Sequence, residues 1–309
     1  MKSTRRQFIQ QSSTALMGAT LAASLPAATF PPAMSFPLVC NTYPWITFLQ
    51  RDGRDFEAEL ATALGELAAS GAESVEPILT SVEVADRYAK LTETAGLKMV
   101  SIYVNSVLHE ADAMATSIDE VVRIATRAQA QAGTNIVVTN PRPISWGGPE
   151  NKTDAEILRQ ADALNQLGAA LRREGLTLAY HNHDSELRIG AREFHHMLVA
   201  TDPANVKFCL DAHWIYRGCD NSTVALFDAV ELYGNRIVEL HLRQSTAGVW
   251  NETFSATGDI DYRRLMTWLG DRDLHPLLTL EQAVESGSPH TMDALTAHRA
   301  SVAAARDLI

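Results

Sequence analysis

The sequence predicts a single-domain (β/α)8 barrel of the TIM type. Short apolar runs alternate with stretches of helical spacing about eight times along the chain. Strict alternation of this kind implies parallel strands joined by right-handed helical crossovers. About eight such units favour a closed barrel over an open doubly wound sheet, and the 309 residues accommodate a barrel of roughly 250 residues with additions. No Gly-x-Gly-x-x-Gly or phosphate-binding loop follows a predicted strand, which argues against a nucleotide cofactor.

Glycines and capping residues delimit the predicted elements in the first half of the chain. We expect strands at 36–42, 72–76, 97–104 and 135–139, and helices at 56–70, 81–95, 118–132 and 154–174. Gly71, Gly96 and Gly133 are typical of helix C-termini, because glycine adopts the left-handed conformation that ends a helix. Thr153 or Asp154 is a candidate N-cap for the last of these helices.

The second half repeats the alternation, and its strands end on polar residues. Strands are predicted at 176–181, 206–211, 237–241 and 277–281, and helices at 194–200, 222–233, 261–270 and 291–308. The residues at the four strand ends are His181, Asp211, His241 and Glu281. Because the pattern recurs in consecutive strands, packing alone explains it poorly.

These four strand-end residues predict a metal site. In a barrel the carboxyl ends of all strands open at one mouth, where side chains from different strands converge. Two imidazoles and two carboxylates suit a borderline divalent ion such as Mn²⁺, Fe²⁺, Co²⁺ or Zn²⁺. The alternative is a polar barrel mouth that binds its ligand by hydrogen bonds alone.

Composition narrows the class of partner. The formal net charge is -11, and a chain without a basic surface is a poor match for nucleic acid. Cys40 and Cys209 lie within apolar strand runs, where a buried thiol is typical. Together with Cys219 they do not form a disulfide framework, and we expect no disulfide.

Residues 1–33 predict an export signal and a short leader, with the barrel domain at 34–309. The paired Arg5 and Arg6 and their neighbours resemble the twin-arginine signal of bacteria, and an apolar stretch of small residues follows at 15–25. That stretch is too short to span a bilayer, so we expect no stable membrane anchor. The twin-arginine translocation machinery would then export the protein to the periplasm.

Four short motifs occur at strand ends and in the loops that follow them. They are Tyr-His-Asn-His-Asp at 180–184, Leu-Asp at 210–211 with Trp214, His-Leu-Arg at 241–243 and Gly-Asp-Ile-Asp at 258–261. In this order and spacing they resemble the sugar phosphate isomerase/epimerase superfamily, whose barrels are similar to xylose isomerase. The resemblance covers essentially the whole mature chain. It implies a divalent metal held by Glu, Asp, His and Glu from strands five to eight, and the last three correspond to Asp211, His241 and Glu281.

Strand five departs from the pattern of that superfamily. The usual glutamate is His181 here, and Glu186 lies too far beyond the predicted strand end to replace it. Epimerases of this type use two metal-bound glutamates on opposite faces of the substrate, and only Glu281 remains as a clear carboxylate base. His181 or His183 could take the second role, because imidazole titrates near neutral pH. Gln244 stands where an aspartate is common, and this change could alter metal affinity.

The resemblance implies a sugar or keto-sugar substrate and proton abstraction next to its carbonyl group. The metal would polarise the carbonyl and stabilise the enediolate, with Mn²⁺ favoured and Mg²⁺, Co²⁺, Fe²⁺ or Zn²⁺ as alternatives. Glu281 would act as base, with a histidine as its counterpart. The candidate substrate contacts are Arg243, His213, Trp214 and Glu186. Ion pairing, loop packing or hydrogen bonding to a metal ligand are the alternative roles for these side chains.

The sequence leaves three functions open. The first is a metal-dependent isomerase or epimerase. The second is a lyase or hydratase of 3-keto-sugars or glycosides, because an enolate that expels a β-leaving group gives elimination instead of isomerisation. The third is a periplasmic carbohydrate-binding barrel without catalysis. Whether the protein forms a homo-oligomer is also open.

Overall fold

The computed structural model describes residues 38–309, and the barrel sheet within them has eight parallel strands. The barrel strands are β1 Leu38–Asn41, β2 Ser74–Glu76, β3 Ser101–Tyr103, β4 Ile136–Thr139, β5 Thr177–His181, β6 Val206–Asp211, β7 Ile237–Leu242 and β10 Leu277–Leu280. A short antiparallel hairpin, β8 Ser245–Thr246 and β9 Val249–Trp250, lies between β7 and β10.

The order of the strands shows that the sheet is nearly closed. It runs β2-β1-β10-β7-β6-β5-β4-β3. The two ends of this order, β2 and β3, approach each other through parallel bridges that pair Ser74 with Lys98 and Ile78 with Tyr103. The predicted (β/α)8 barrel is therefore confirmed for the described residues.

Helices surround the sheet and connect its strands. They are α1 Thr42–Arg51, α2 Leu60–Ala69, α3 Val82–Ala95, α4 Met114–Ala132, α5 Asp154–Arg173, α6 Arg188–Val199, α7 Ala212–Gly218, α8 Thr223–Tyr233, α9 Tyr262–Gly270 and α10 Ala294–Arg306. Three of the predicted caps are confirmed, whereas α2 ends with Ser70 as its C-cap, one residue before the predicted Gly71. Thr153 and Glu156 form a reciprocal capping box at the start of α5, and Gly96 and Gly133 end α3 and α4 in the left-handed conformation.

Two helices, α1 and α7, were not predicted. Each begins directly after a strand, so no turn residue separates the two elements. Asn41 accepts a hydrogen bond from the Tyr43 amide at 2.7 Å, and Pro44 lies in the first turn, where proline is tolerated. Asp211 accepts from the Trp214 amide at 2.8 Å. The last residue of each strand thus serves as the helix N-cap.

The barrel interior changes from apolar to polar toward the carboxyl ends of the strands. Tyr103, Val138, Ala179 and Cys209 form a small buried cluster inside the barrel. Strand side chains alternate between the two faces of a sheet, so the residue two positions further along a strand again points inward. For β5 this residue is His181. The sequence alternation therefore delivers polar groups to the mouth without breaking the core below it.

Three further predictions concern the cysteines, membrane-spanning helices and the signal segment. Cys40, Cys209 and Cys219 are free thiols. Across residues 38–309, no helix combines the length and apolar character needed to cross a membrane. The predicted signal segment at 1–33 lies outside the described residues. Export by the twin-arginine route and a periplasmic location therefore stay predictions.

His298 on α10 gives a test of how the fold responds to acid. Its ring is buried and stacks on Trp45 with centroids 4.3 Å apart, and its Nδ1 donates to the Ala294 carbonyl at 2.7 Å. Burial lowers the pKa of His298 from 6.5 to about 4. The folded protein therefore binds this proton less readily than the unfolded chain does. The stabilisation is fully present above about pH 6.5 and is lost as the pH falls toward 4.

We expect His298→Phe to remove this acid sensitivity while it keeps an aromatic ring in place. Between pH 7 and pH 4, the wild-type free energy of unfolding should fall by ~3 kcal/mol more than that of the variant. Urea unfolding at the two pH values measures the difference. Equal losses in both proteins would show that His298 is protonated without cost in the folded state.

Candidate active site

The four strand-end residues converge at the carboxyl end of the barrel. One donor atom from each of His181, Asp211, His241 and Glu281 lies within 4.8 Å of the others, and all four residues are buried. The sheet register explains this, since Asp211 pairs directly with His241 across β6 and β7. The convergence that the sequence predicts is present, whereas metal binding by these residues stays a prediction.

His181 has the protonation state of a metal ligand. Its Nε2 is buried without a hydrogen-bond partner, and its Nδ1 lies 3.7 Å from the sulfur of Cys209. Burial first, and then His241 and His183, lower the pKa of His181 well below its usual range. The imidazole is therefore neutral at physiological pH, and a neutral ring nitrogen can ligate a metal.

The two carboxylate oxygens of Asp211 make different contacts. Its Oδ1 caps α7, and its Oδ2 lies 3.0 Å from Nε of Arg243. The backbone of Asp211 is held by Asn182, whose side chain accepts from the Asp211 amide and donates to its carbonyl, both at 3.1 Å. Burial raises the pKa of Asp211 to about 6, and the Arg243 charge opposes this shift.

His241 lies between two carboxylates. Its Nδ1 is 2.7 Å from Glu281 Oε2, and its Nε2 is 3.1 Å from Glu76 Oε1. Burial lowers the pKa of His241, but Cys209, Glu281 and Glu76 outweigh burial and raise it well above its usual range. A metal at Nδ1 or Nε2 would therefore compete with a proton on this ring.

Glu281 follows β10 directly and is held by its Oε2 atom. This oxygen accepts from His241 Nδ1 at 2.7 Å and from Arg243 Nε and Nη2 at 3.0 and 2.5 Å. Burial would raise the pKa of Glu281, but the Arg243 and His241 charges lower it well below its usual range. The carboxylate is thus ionised, with its hydrogen bonds concentrated on one oxygen.

Arg243 links the two acidic residues of the site. Its guanidinium contacts both Asp211 and Glu281 and is almost completely buried. Tyr262 holds its backbone, because the phenol oxygen accepts from the Arg243 amide at 3.0 Å and donates to its carbonyl at 2.6 Å. Arg243 also lines the cavity above the site. The Arg243 guanidinium is therefore engaged in ion pairs within the protein. Its contact with substrate stays a prediction.

A second polar layer, which the sequence analysis did not assign to the site, lies behind His241. Glu76 accepts from Asn41 Nδ2 at 2.6 Å, and Glu239 accepts from Thr279 Oγ1 at 2.5 Å. Burial and the Glu76 carboxylate raise the pKa of Glu239 to about 8, so it is mostly protonated at neutral pH. The signal was present in the sequence, because Glu239 precedes His241 by two positions in a buried strand and so points to the same side.

A cavity of about 470 Å³ opens above the cluster. This volume is within the range of small-molecule sites. Its lining includes Trp146, His183, Trp214, Arg217, Arg243 and Glu281. Two tryptophan rings flank His183, with centroid distances of 5.1 Å to Trp146 and 5.5 Å to Trp214. Flat aromatic faces beside convergent polar groups suit a sugar ring.

His183 faces the cavity as a neutral ring. Its Nδ1 is buried without a hydrogen-bond partner, and its ring contacts His181 with centroids 4.7 Å apart. Burial first, and then the Arg243 charge, lower the pKa of His183 to about 3. At neutral pH the ring can accept or donate a hydrogen bond, but it carries no extra proton.

Glu186 and Gln244 support the site from outside the main cavity lining. Glu186 is buried, and its two oxygens accept from Asn140 Nδ2 at 3.0 Å and from the His183 amide at 2.8 Å. It therefore fixes the turn after β5, and its contact with substrate stays a prediction. Gln244 binds backbone groups through both ends of its amide, including the carbonyl and the amide of Ile260 at 2.9 and 3.0 Å.

His213 and Trp214 follow Asp211 but occupy different surroundings. Trp214 lines the main cavity, as expected for a substrate contact, and that contact stays a prediction. His213 lines a neighbouring cavity instead, and its Nε2 lies 2.9 Å from Ser245 Oγ. Burial first, and then the charges of Arg243 and Arg217, lower the pKa of His213 to about 3.

The donor set fits a divalent metal. His181 offers an unpartnered neutral nitrogen, and Asp211 and Glu281 offer ionised or easily ionised carboxylates within the same 4.8 Å cluster. A metal ion bound there would share the Asp211 and Glu281 carboxylates with the Arg243 guanidinium. Mixed nitrogen and oxygen donors of this kind suit Mn²⁺, Fe²⁺, Co²⁺ or Zn²⁺.

The family model of xylose isomerase-like TIM barrels matches residues 64–307. The match covers most of the chain, and the protein belongs to this family. The predicted similarity to xylose isomerase-like barrels is confirmed by this match, and solved structures of a sugar phosphate isomerase/epimerase and a sugar epimerase share the fold. Comparison with curated protein sequences gave no significant match.

Three solved structures illustrate the similarity of fold. A sugar phosphate isomerase/epimerase from Parabacteroides distasonis has 18% identity and a TM-score of 0.66, covering 90% of this chain and 97% of that chain. D-allulose 3-epimerase from Methylomonas sp. has 14% identity and a TM-score of 0.67, with 89% and 99% covered. A xylose isomerase-like TIM barrel protein from Mycobacterium smegmatis in complex with magnesium has 12% identity and a TM-score of 0.67, with 89% and 96% covered.

Proposed function

We propose that this protein is a divalent-metal-dependent sugar isomerase or epimerase that removes a proton next to a carbonyl group. The observation that carries the proposal is the convergence of His181, Asp211, His241 and Glu281 within 4.8 Å beneath a cavity of about 470 Å³. Similar folds in sugar epimerases support the choice of substrate class.

His181, Asp211, His241 and Glu281 would hold the metal. When bound, a divalent ion supplies Lewis-acid polarisation of a carbonyl oxygen, which acidifies the neighbouring C–H bond. Mn²⁺ is the first candidate, because the site offers two carboxylates beside its two imidazoles, and Fe²⁺, Co²⁺ or Zn²⁺ also fits these mixed donors. A similar barrel in complex with magnesium supports the binding of a divalent ion by this fold.

Glu281 would act as the base. Arg243 and His241 hold its Oε2, so the carboxylate stays ionised and fixed in orientation while it lines the cavity. A carboxylate of lowered pKa is a weak base. It can therefore work only on a C–H bond that the site has already acidified, which couples Glu281 to carbonyl polarisation.

His183 would bind a substrate hydroxyl. Its ring lines the main cavity and is neutral at physiological pH. His181 would serve as a ligand, which leaves one clear proton acceptor in the main cavity. A single base can move a proton along one face of a sugar, as in isomerisation, or can start a β-elimination. The lyase alternative therefore keeps specific support from this geometry.

Solvent exchange tests the function and separates its alternatives. The purified protein is treated with EDTA, reloaded with Mn²⁺ and incubated in D₂O with D-fructose, D-allulose and L-ribulose. We expect Mn²⁺-dependent deuterium incorporation next to the carbonyl of at least one sugar, followed by NMR. Loss of a leaving group without retained deuterium would favour the lyase. Absence of both bound metal and exchange would contradict the proposal and favour a binding barrel.

A further inference from the structure

A second, smaller cavity lies beside the main cavity at the same end of the barrel. Its volume is about 230 Å³. It is formed by helix α7, the β8–β9 hairpin and the loop after β10, and its lining includes His213, Arg217, Ser245, Trp250, Glu285 and Gly287. Arg217 lines both cavities, so the two are neighbours that share one wall.

The wall between the two cavities consists of an ion pair that lies beside two tryptophan rings. Arg217 contacts Glu285 through two parallel bonds of 2.6 and 3.0 Å, with side chains 40% and 36% exposed. Its guanidinium carbon lies 5.4 Å from the Trp214 ring centroid and 5.3 Å from that of Trp250. Because exposed ion pairs contribute little to stability, a ligand can rearrange this wall at low cost.

His213 lines the small cavity, and its ring carries a hydrogen-bond acceptor that no protein group occupies. Ser245 has one hydroxyl hydrogen, and it donates this hydrogen to Asp259 Oδ2 at 2.6 Å. The contact between His213 Nε2 and Ser245 Oγ at 2.9 Å must then be donated by the imidazole. This places the hydrogen on Nε2 and leaves Nδ1 as an acceptor, which is buried and has no partner in the protein.

The other lining groups favour a neutral hydroxyl-rich ligand. Trp250 is fixed by a hydrogen bond from its indole nitrogen to the Ala283 carbonyl, and its ring packs against His213 with centroids 4.5 Å apart. The charges of Arg217 and Glu285 cancel each other, so no excess positive charge remains to bind a phosphate or carboxylate. A sugar ring offers hydroxyl donors for His213 Nδ1 and an apolar face for an aromatic ring.

We propose that this cavity, which we call the side subsite, binds the non-reacting ring of a neutral disaccharide or glycoside. The reacting ring would occupy the main cavity, so the inference rests on the proposed function. The volume of about 230 Å³ is below the usual range for drug-sized ligands and accommodates one ring. The substrate class would then be a glycosylated sugar, with binding energy gained away from the reacting carbons.

Binding measurements on matched variants test the side subsite. Calorimetry with the full chain compares glucose, cellobiose and maltose. Gly287→Tyr places a large ring in the side subsite, at a position where an added Cβ meets nothing within 4 Å. Gly287→Ala is the control. Val249→Trp, at another lining position that is 51% exposed, provides a second blocking variant.

At least one disaccharide should bind the wild type about tenfold more tightly than glucose, as expected for one or two added hydrogen bonds. Gly287→Tyr and Val249→Trp should remove this gain and leave glucose affinity unchanged, whereas Gly287→Ala should keep it. The side subsite would be contradicted if the wild type bound no disaccharide more tightly than glucose. It would also be contradicted if the blocking variants lost affinity equally for glucose and for the disaccharide. Deuterium exchange tests the function separately, so a disaccharide gain without exchange would reject only the isomerase.

Discussion

Replacing Glu281 with glutamine should lower the rate of sugar proton exchange by about 10²- to 10⁴-fold, the range for loss of a general base. The amide keeps the size of the side chain but cannot accept a proton at neutral pH. It also removes the negative charge that pairs with Arg243 and His241. Exchange rates measured by NMR in D₂O, with metal content measured on the same samples, give the result.

Two companion variants make the Glu281 result specific. Asp211→Asn keeps an oxygen to cap α7 but loses the charge facing Arg243, so we expect lower metal content and lower exchange. Glu231→Gln is the matched control, because this carboxylate bonds Trp268 and Arg272 on the protein surface. If Glu281→Gln and Asp211→Asn both kept full metal and full exchange, the reaction site would lie elsewhere.

The sequence predicts the strand-end residues well because their placement depends on local rules. Each apolar run specifies a strand, and parallel register brings the last residues of neighbouring strands together, as for Asp211 and His241. Side-chain direction follows from two-residue alternation. The same rule could have identified Glu239 behind His241, but a glutamate in a buried strand has no evident partner until the barrel closes.

What the sequence does not predict depends on contacts between distant segments. Glu186 follows the site strand closely, yet its carboxylate bonds Asn140 from the neighbouring strand end, so it orients the turn. Arg243 pairs with Asp211 and Glu281, which come from the strands on either side of β7. Such ion pairs form only after the sheet has brought three strands together, and sequence spacing alone does not contain them.

The Gly-Asp-Ile-Asp motif, which the sequence analysis used only for the family resemblance, has a structural role in this protein. A Cβ on Gly258 would lie 2.4 Å from the Ser245 carbonyl oxygen, so only glycine permits this close approach. The approach brings Asp259 onto the β8–β9 hairpin, where it accepts from Ser245 Oγ and from the Gly248 amide at 2.6 and 2.8 Å. Through Ser245 the loop fixes the tautomer of His213 and shapes the side subsite.

Replacing Arg243 with methionine should destabilise the metal-free protein by ~3–5 kcal/mol, the usual cost of removing one partner of a buried ion pair. The variant leaves Asp211 and Glu281 buried without their shared cation. Urea unfolding in EDTA measures the loss. Arg217→Met is the control, since its ion pair with Glu285 is 40% and 36% exposed and should change stability by less than about 1 kcal/mol.

Added metal and a lower pH should both reduce the loss of stability in Arg243→Met, because each removes uncompensated negative charge from the site. Added Mn²⁺ should stabilise the variant more than the wild type, as a divalent ion replaces the missing guanidinium. Burial raises the pKa of Asp211 and would raise that of Glu281, and the Arg243 charge opposes this effect at both carboxyls. In the folded variant both carboxyls should therefore bind protons at a higher pH than in the wild type. The difference between the two proteins should therefore shrink toward pH 4. A defect that is constant with pH and unaffected by Mn²⁺ would show that Arg243 acts through packing and not through its charge.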